Sequence, residues 1–146
     1  MNKCVGEVIK LFISEKGNPK RIYKDKIILD RRGVINDKFY NKDALRAVLL
    51  TSTQSYDLAN KHAISMNYGT LGENILIDYN PYLLMLGKQL KIGEVVIEMI
   101  QNCTICNHLS VVDKKLPKLL KDDRGIFIKV VKEGCIKKGD KVYLLE

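Results

Sequence analysis

The sequence predicts a mostly β, barrel-like domain with two short helical insertions. Three observations carry that reading: short apolar runs rich in Val and Ile recur along the chain, turn residues bound each run, and only two segments show helical spacing instead. A length of 146 residues suits one compact domain, taken as residues 1–146. With 46% hydrophobic and 29% charged residues and only 3 Pro, the chain has the material for a core and is neither disordered nor collagen-like in composition.

The candidate strands are residues 7–14, 26–29, 47–52, 74–78, 89–92, 94–100, 126–131 and 141–145. So many short strands point to a barrel or a sandwich. The first exception is 54–65, where Tyr56, Ala59 and Ala63 recur at i, i+3 and i+7 and Ser52 or Thr53 stands ready to cap. That spacing predicts a helix of about three turns. The second is 113–121, with Leu116, Leu119 and Leu120 at helical spacing and Pro117 confining it to a short helix with proline in the first turn. A weak echo relates 90–96 to 136–142, each with a glycine and an acid ahead of an alternating strand, which is the chemistry of a hairpin turn.

The net charge of +8 is unevenly placed: +5 over residues 1–32, −2 over 33–113 and +6 over 114–141. If the ends meet in the fold they form a positive surface or pocket suited to phosphates, nucleic acid, acidic lipid or an anionic cofactor. No stretch approaches the roughly 20 apolar residues of a membrane span, and Glu7 and Lys10 interrupt the place of a signal-peptide core. A cytoplasmic location is therefore expected. Four cysteines in such a chain point to thiolate or metal chemistry rather than disulfides.

The sharpest local feature is Cys103-Thr104-Ile105-Cys106 followed by His108, directly after a strong strand. Two thiols and an imidazole at this spacing can bind zinc, exchange a disulfide, present one reactive thiolate, or simply pack at a strand end. A structural zinc site needs four ligands, usually as a second pair, and only the isolated Cys4, Cys135 and His62 remain. A thioredoxin-like exchange site needs a βαβ context, which the strand pattern lacks. Gly69-Thr70-Leu71-Gly72-Glu73-Asn74 sets two glycines before an acid and an amide, a turn that lets backbone approach a ligand or forms a polar hairpin tip. Gly33-Val34-Ile35-Asn36-Asp37 has a similar form, in which Asp37 can order a loop. Arg46 and Arg124 each precede a predicted strand, where a barrel could bring both to one end to grip an anion.

Taken in order, these features resemble the MOSC domain, the family of molybdenum cofactor sulfurase C-terminal domains. The matching elements are Gly33-x-x-x-Asp37, Arg46 ahead of a Val-Leu-Leu strand, Gly69-x-x-Gly72-Glu73-Asn74, Ile92-Gly93-Glu94, a cysteine after the next strand, and Arg124-Gly125-Ile126-Phe127 running on to Gly134 and Gly139-Asp140. The resemblance implies a barrel-like β fold and the molybdenum cofactor, a molybdopterin, as ligand. It also implies that the family cysteine carries sulfur as a persulfide or binds molybdenum, as in reductases of N-hydroxylated compounds. Aligned on the family's Arg-x-Pro-Cys, that cysteine is Cys106, with Cys103 in place of the arginine and Ile105 of the proline. By the same resemblance Asp37, Arg46, Gly72, Glu73, Asn74 and Arg124 fall to cofactor binding, Cys106 to metal or sulfur, and Cys103 to an auxiliary thiol. The expected activity is that of a cofactor-dependent reductase or a sulfur transferase. No pyridoxal phosphate is expected in this chain, so sulfur must come from a separate donor, or the partner is a molybdoenzyme.

Two other readings stand beside it. A carrier can deliver the cofactor to another enzyme without catalysis of its own. A basic β-barrel can also bind RNA or single-stranded nucleic acid, although base stacking requires aromatics along an exposed strand face, and no predicted strand alternates them.

Overall fold

The computed structural model describes residues 2–103 and 109–145. The apolar runs form β1 (Lys3–Ile13), β2 (Ile22–Lys24), β3 (Lys26–Asp30), β4 (Gly33–Val34), β5 (Val48–Ser52), β6 (Ile75–Ile77), β7 (Gln89–Ile92), β8 (Val95–Asn102), β9 (Ile126–Lys132), β10 (Gly134–Lys137) and β11 (Lys141–Leu144). The helices are α1 (Thr53–Lys61), α2 (Leu109–Val112) and α3 (Leu116–Leu119). Seven strands close a mixed barrel in the order β11, β7, β8, β9, β5, β6, β1, with β1 pairing back to β11. The mostly β, barrel-like prediction therefore holds. β2 pairs outside the ring on β1, and β10, β3 and β4 form a separate small sheet.

The ring is antiparallel except between β5 and β6, where Leu50 lies opposite Ile75. A parallel pair needs a crossover, and α1 with the loop after it supplies one. Strand alternation fills the barrel: Val48 and Leu50 of β5, Ile126 and Ile128 of β9, and Val95, Ile97 and Met99 of β8 belong to the interior cluster. A second cluster lies on the outside of the wall, where Leu76 of β6 packs with Tyr56 and Ala59 of α1, Leu71, Leu109, Leu116 and Leu120. Burial on both faces explains why β5 and β6 read as continuous apolar runs rather than alternating ones.

Ser52 caps α1 as expected, its hydroxyl accepting from Gln54 N–H at 3.1 Å. The helix stops at Lys61, short of the predicted 65. Ala63 takes φ 60° and Ile64 N–H returns to Ala59 carbonyl, so the apolar spacing ran on past the last helical turn. The second helical segment holds α3, with Pro117 in its first turn, and α2 precedes it. The strands β2 and β4 are too short to stand out in the sequence, and β10, Gly134-Cys135-Ile136-Lys137, has one branched apolar residue and opens on glycine, so it carries no run to read. The echo around Gly93 and Gly139 divides: Gly93 turns the β7–β8 hairpin, whereas Gly139-Asp140 carries the chain from the small sheet into the barrel. The two turns abut, with Gly93 N–H donating to Lys141 carbonyl at 3.2 Å.

The basic ends of the chain do meet, since β1 pairs with β11 along Lys3, Cys4, Gly6 and Glu7. No helix among the described residues is long and apolar enough to cross a membrane.

Candidate functional site

Leu49 of β5 and Phe127 of β9 lie opposite one another and alternate away from the interior residues on either side of them. They floor a pocket of about 470 Å³ on the outer wall of the barrel. Among the described residues, Arg21, Lys42, Arg46 and Arg124 line it with Asp43 as the one carboxylate, and Phe39, Ala47, Gly72, Asn74 and Cys103 make up the rest of the walls. The predicted Arg46, Gly72, Asn74, Cys103 and Arg124 thus come together around one cavity. The expectation that a barrel end would collect the arginines is corrected, because the barrel's inside is filled with side chains and the opening is on its outer face.

Arg124 is held rigidly. Only 3% exposed, it donates from Nε and Nη2 to Leu71 carbonyl at 3.3 and 3.1 Å, while its own carbonyl accepts from Thr51 Oγ1 at 3.0 Å. Arg21 comes from the turn before β2 and donates from Nη1 to Glu73 carbonyl at 3.3 Å. Burial pulls its pKa below the ordinary guanidinium value, the Asp37 and Glu73 carboxylates oppose that, and Arg124 adds to it. Gly72, at φ 90°, sits between the two: a Cβ there would lie 3.7 Å from Arg124 Nη2 and 3.9 Å from Arg21 Nη2. The glycine leaves a bare stretch of backbone where a ligand can approach both guanidiniums.

Glu73 is turned away from this pocket. It is 0% exposed, and its Oε2 accepts from Tyr56 O–H at 2.6 Å and from Gly69 N–H at 3.1 Å. Tyr56 oxygen also accepts from Gly69 N–H and Leu71 N–H at 3.0 and 3.3 Å. Burial raises the Glu73 pKa, against the hydrogen bonds from Tyr56 and the backbone and the charge of Arg21. Tyr56 is pushed up as well, first by burial and then by the carboxylate beside it. The pair braces residues 69–73, whose carbonyls aim Arg124 and Arg21.

Asn74 and Asp37 are brackets of the same frame. Asn74 accepts from Leu49 N–H through Oδ1 at 3.1 Å and donates through Nδ2 to Phe12 carbonyl and Asp37 Oδ1 at 3.2 and 3.3 Å. Its backbone bonds the same two residues, accepting from Phe12 N–H at 2.8 Å and donating to Leu49 carbonyl at 2.9 Å, so main chain and side chain together tie β1 to β5. Asp37 accepts from Ser14 N–H at 2.6 Å and Phe39 N–H at 3.1 Å, tying the loop after β4 to the end of β1, and it does not line the pocket.

Cys103 is buried, and its N–H donates to Gly125 carbonyl at 2.9 Å, which sets it beside Arg124. Cys106 and His108 lie outside the described residues. Among the described residues, no three His, Cys, Asp or Glu side chains group as a metal site would need. Sequence reading missed Arg21, Lys42 and Phe39 in the lining. For Arg21 the available signal was a Lys20-Arg21 pair closing a Gly17-Asn18-Pro19 turn directly after the first long strand.

A family model for the MOSC domain matches residues 37–143. The chain belongs to the MOSC family. No curated protein matches it. Among solved structures it is similar to the YuaD protein of Bacillus subtilis, at 14% identity and a TM-score of 0.80, covering 100% of this chain and 99% of that one. It is also similar to YiiM from Geobacillus stearothermophilus, at 15% identity and a TM-score of 0.68 over 100% of this chain and 76% of that one. YiiM from Escherichia coli matches at 18% identity and a TM-score of 0.67, over 94% and 69% of the two chains. At these identities the likeness is one of fold. In this MOSC domain the pocket draws on residues far apart in sequence, from Arg21 to Phe127.

Proposed function

We propose that this MOSC domain binds the molybdenum cofactor in the pocket at Arg46, Arg124 and Cys103 and handles its sulfur or molybdenum through a cysteine thiolate. The observation that carries the reading is a buried thiol opening on the same cavity as three arginines and a lysine. A molybdopterin is anionic through its phosphate and soft through its dithiolene, so guanidinium groups and a thiol are the donors it calls for. When bound, it supplies a molybdenum centre and a transferable sulfur. The volume lies within the range of small-molecule sites.

In this reading Arg124, fixed by Leu71 carbonyl, is the preorganised anion contact, and the exposed Lys42 and Arg46 gather charge at the mouth. Gly72 lets the ligand reach the backbone. Cys106 is the ligand or carrier, with Cys103 auxiliary. As a carrier, Cys106 thiolate attacks the outer sulfur of a donor persulfide; the donor S–S bond breaks, a new S–S bond forms on Cys106, and the donor leaves as thiolate. The donor is a separate protein. Delivery of cofactor to a molybdoenzyme requires the same pocket and no further catalytic group.

Molybdenum and pterin measured in protein purified from its own host test this directly. Both are expected to accompany the native chain, to be lost in Cys106→Ser and to be reduced in Cys103→Ser. Persulfide labelling should follow the same order. Equal molybdenum and persulfide in Cys106→Ser and the native chain would sink the assignment.

A further inference from the structure

A second cavity, of about 720 Å³, adjoins the first, and Arg21, Phe39 and Gly72 line both. Its chemistry differs from that of the first. Lys20, Arg21 and Lys38 bring positive charge, no carboxylate among the described residues lines it, and Asn18, Asn67 and Thr70 offer amide and hydroxyl groups. Phe39 and Tyr68, each 39% exposed, add two aromatic rings to its lining. The Tyr68 ring is held in place, edge-on to Tyr56 at 4.9 Å, and Lys10 Nζ lies 5.9 Å from its centroid. Cationic side chains and a fixed, partly exposed ring lining one cavity match a ligand that carries both phosphate and a flat base.

We propose that the second cavity is a nucleotide subsite, and that the protein takes a ligand with a nucleoside diphosphate arm. Its phosphates meet the junction of Arg21 and the Gly72 backbone, and its base and ribose meet Tyr68, Thr70 and Asn67. The inference deepens the cofactor reading, because a pterin in the first cavity and a nucleotide in the second are joined through a pyrophosphate at the residues the cavities share. A free nucleoside diphosphate offers the second cavity the same chemistry.

Equilibrium titration of the full chain with inorganic pyrophosphate and with guanosine, cytidine and adenosine diphosphates tests the subsite. At least one nucleoside diphosphate is expected to bind about tenfold more tightly than pyrophosphate, the scale of one base–aromatic stack. Tyr68→Ala is expected to remove that advantage and leave pyrophosphate unchanged. Because Tyr68 touches buried Tyr56, Asn67→Ala, at an exposed side chain placed against base and ribose, serves as a second probe and should weaken the nucleotide more than pyrophosphate. Overturning results are nucleotide affinity no better than pyrophosphate, no binding of either, an advantage that survives both substitutions, or tighter binding of a single-stranded polynucleotide.

Acid hydrolysis of protein purified from its host separates the two sources. A nucleoside monophosphate released in equal amount with pterin assigns the arm to the cofactor. Nucleotide without pterin or molybdenum keeps the subsite and removes the cofactor reading. Pterin without nucleotide, together with binding of pyrophosphate alone, does the reverse.

Discussion

Glu73 shows how one residue organises the site without lining it. Its carboxylate holds Tyr56 and Gly69, and through them the loop whose carbonyls position Arg124 and Arg21. Tyr56→Phe strips Glu73, Gly69 and Leu71 of a shared buried partner and is expected to cost about 1–3 kcal/mol, read as a lower denaturant midpoint at unchanged slope. The raised Glu73 pKa has a sign. The folded chain holds this proton more tightly than the unfolded one, so its contribution favours folding most below the ordinary carboxyl range and fades as pH rises through the folded value. Glu73→Gln keeps an oxygen to accept from Tyr56 and Gly69 but has no proton to lose. Its thermal midpoint should therefore fall less than that of the native chain as pH rises above the ordinary carboxyl range. Identical pH dependence in the two would count against the buried carboxyl as the source.

At the scale of elements, the approach of β5 to β9 places the site. Gly125 begins that contact, and a Cβ on it would lie 2.8 Å from Thr51 Oγ1, 2.9 Å from Leu49 Cδ1 and 3.1 Å from Leu50 carbonyl. All three atoms belong to buried side chains or to backbone, so the strand itself must shift. Gly125→Ala is expected to destabilise by about 1–3 kcal/mol, the usual range for overpacking. It should also weaken pyrophosphate binding, because Arg124 precedes it and Cys103 is bonded to its carbonyl. The Ser52 side chain, which caps α1 and does not line the pocket, gives a control: Ser52→Ala should cost about 0.5–2 kcal/mol and leave pyrophosphate affinity unchanged. Parallel titrations and melts of the two variants separate displacement of the site from general loss of stability.

Over the whole molecule, the charge of +8 divides between a diffuse field and a localised cluster. The cluster is Arg21, Lys42, Arg46 and Arg124 around one cavity, and the rest is spread over the strands and turns of a closed barrel. A polynucleotide track releases many counterions and weakens steeply with salt, whereas a pocket for one anion does not. Labelled single strands are therefore expected to associate only weakly and without saturation at low and moderate salt. Arg46→Ala, a change at an exposed side chain, should lower pyrophosphate affinity without altering the melt. Tight, saturable strand binding with a steep salt slope would transfer the positive charge to the nucleic-acid reading.

The sequence by itself determined the β class, because Val- and Ile-rich runs between turn residues are a local signal that each segment carries alone. It also determined the start of α1 to within Ser52 or Thr53, the short helix at Pro117 and the family, whose glycine, arginine and acid spacings lie in order along the chain. Arg46, Glu73, Asn74, Arg124 and Cys106 read as a group through that order, and of these Arg46, Asn74 and Arg124 line the cavity, with Cys103 beside them, while Cys106 lies outside the described residues. Only the tertiary structure decided which of them face the cavity and which hold the frame. Glu73 stands beside Asn74 in the same motif, yet the turn through Gly72 at φ 90° sends its carboxylate to Tyr56 instead of the pocket. Arg21 shows in the sequence only as half of a basic pair after a turn, and it reaches Gly72 because β2 lies on β1, a pairing between segments that neither encodes separately. The position of the pocket was equally non-local. Whether a residue faces the barrel's interior or its outer wall depends on the register of β5 against β9, and a shift of one residue would exchange Leu49 and Phe127 with the core.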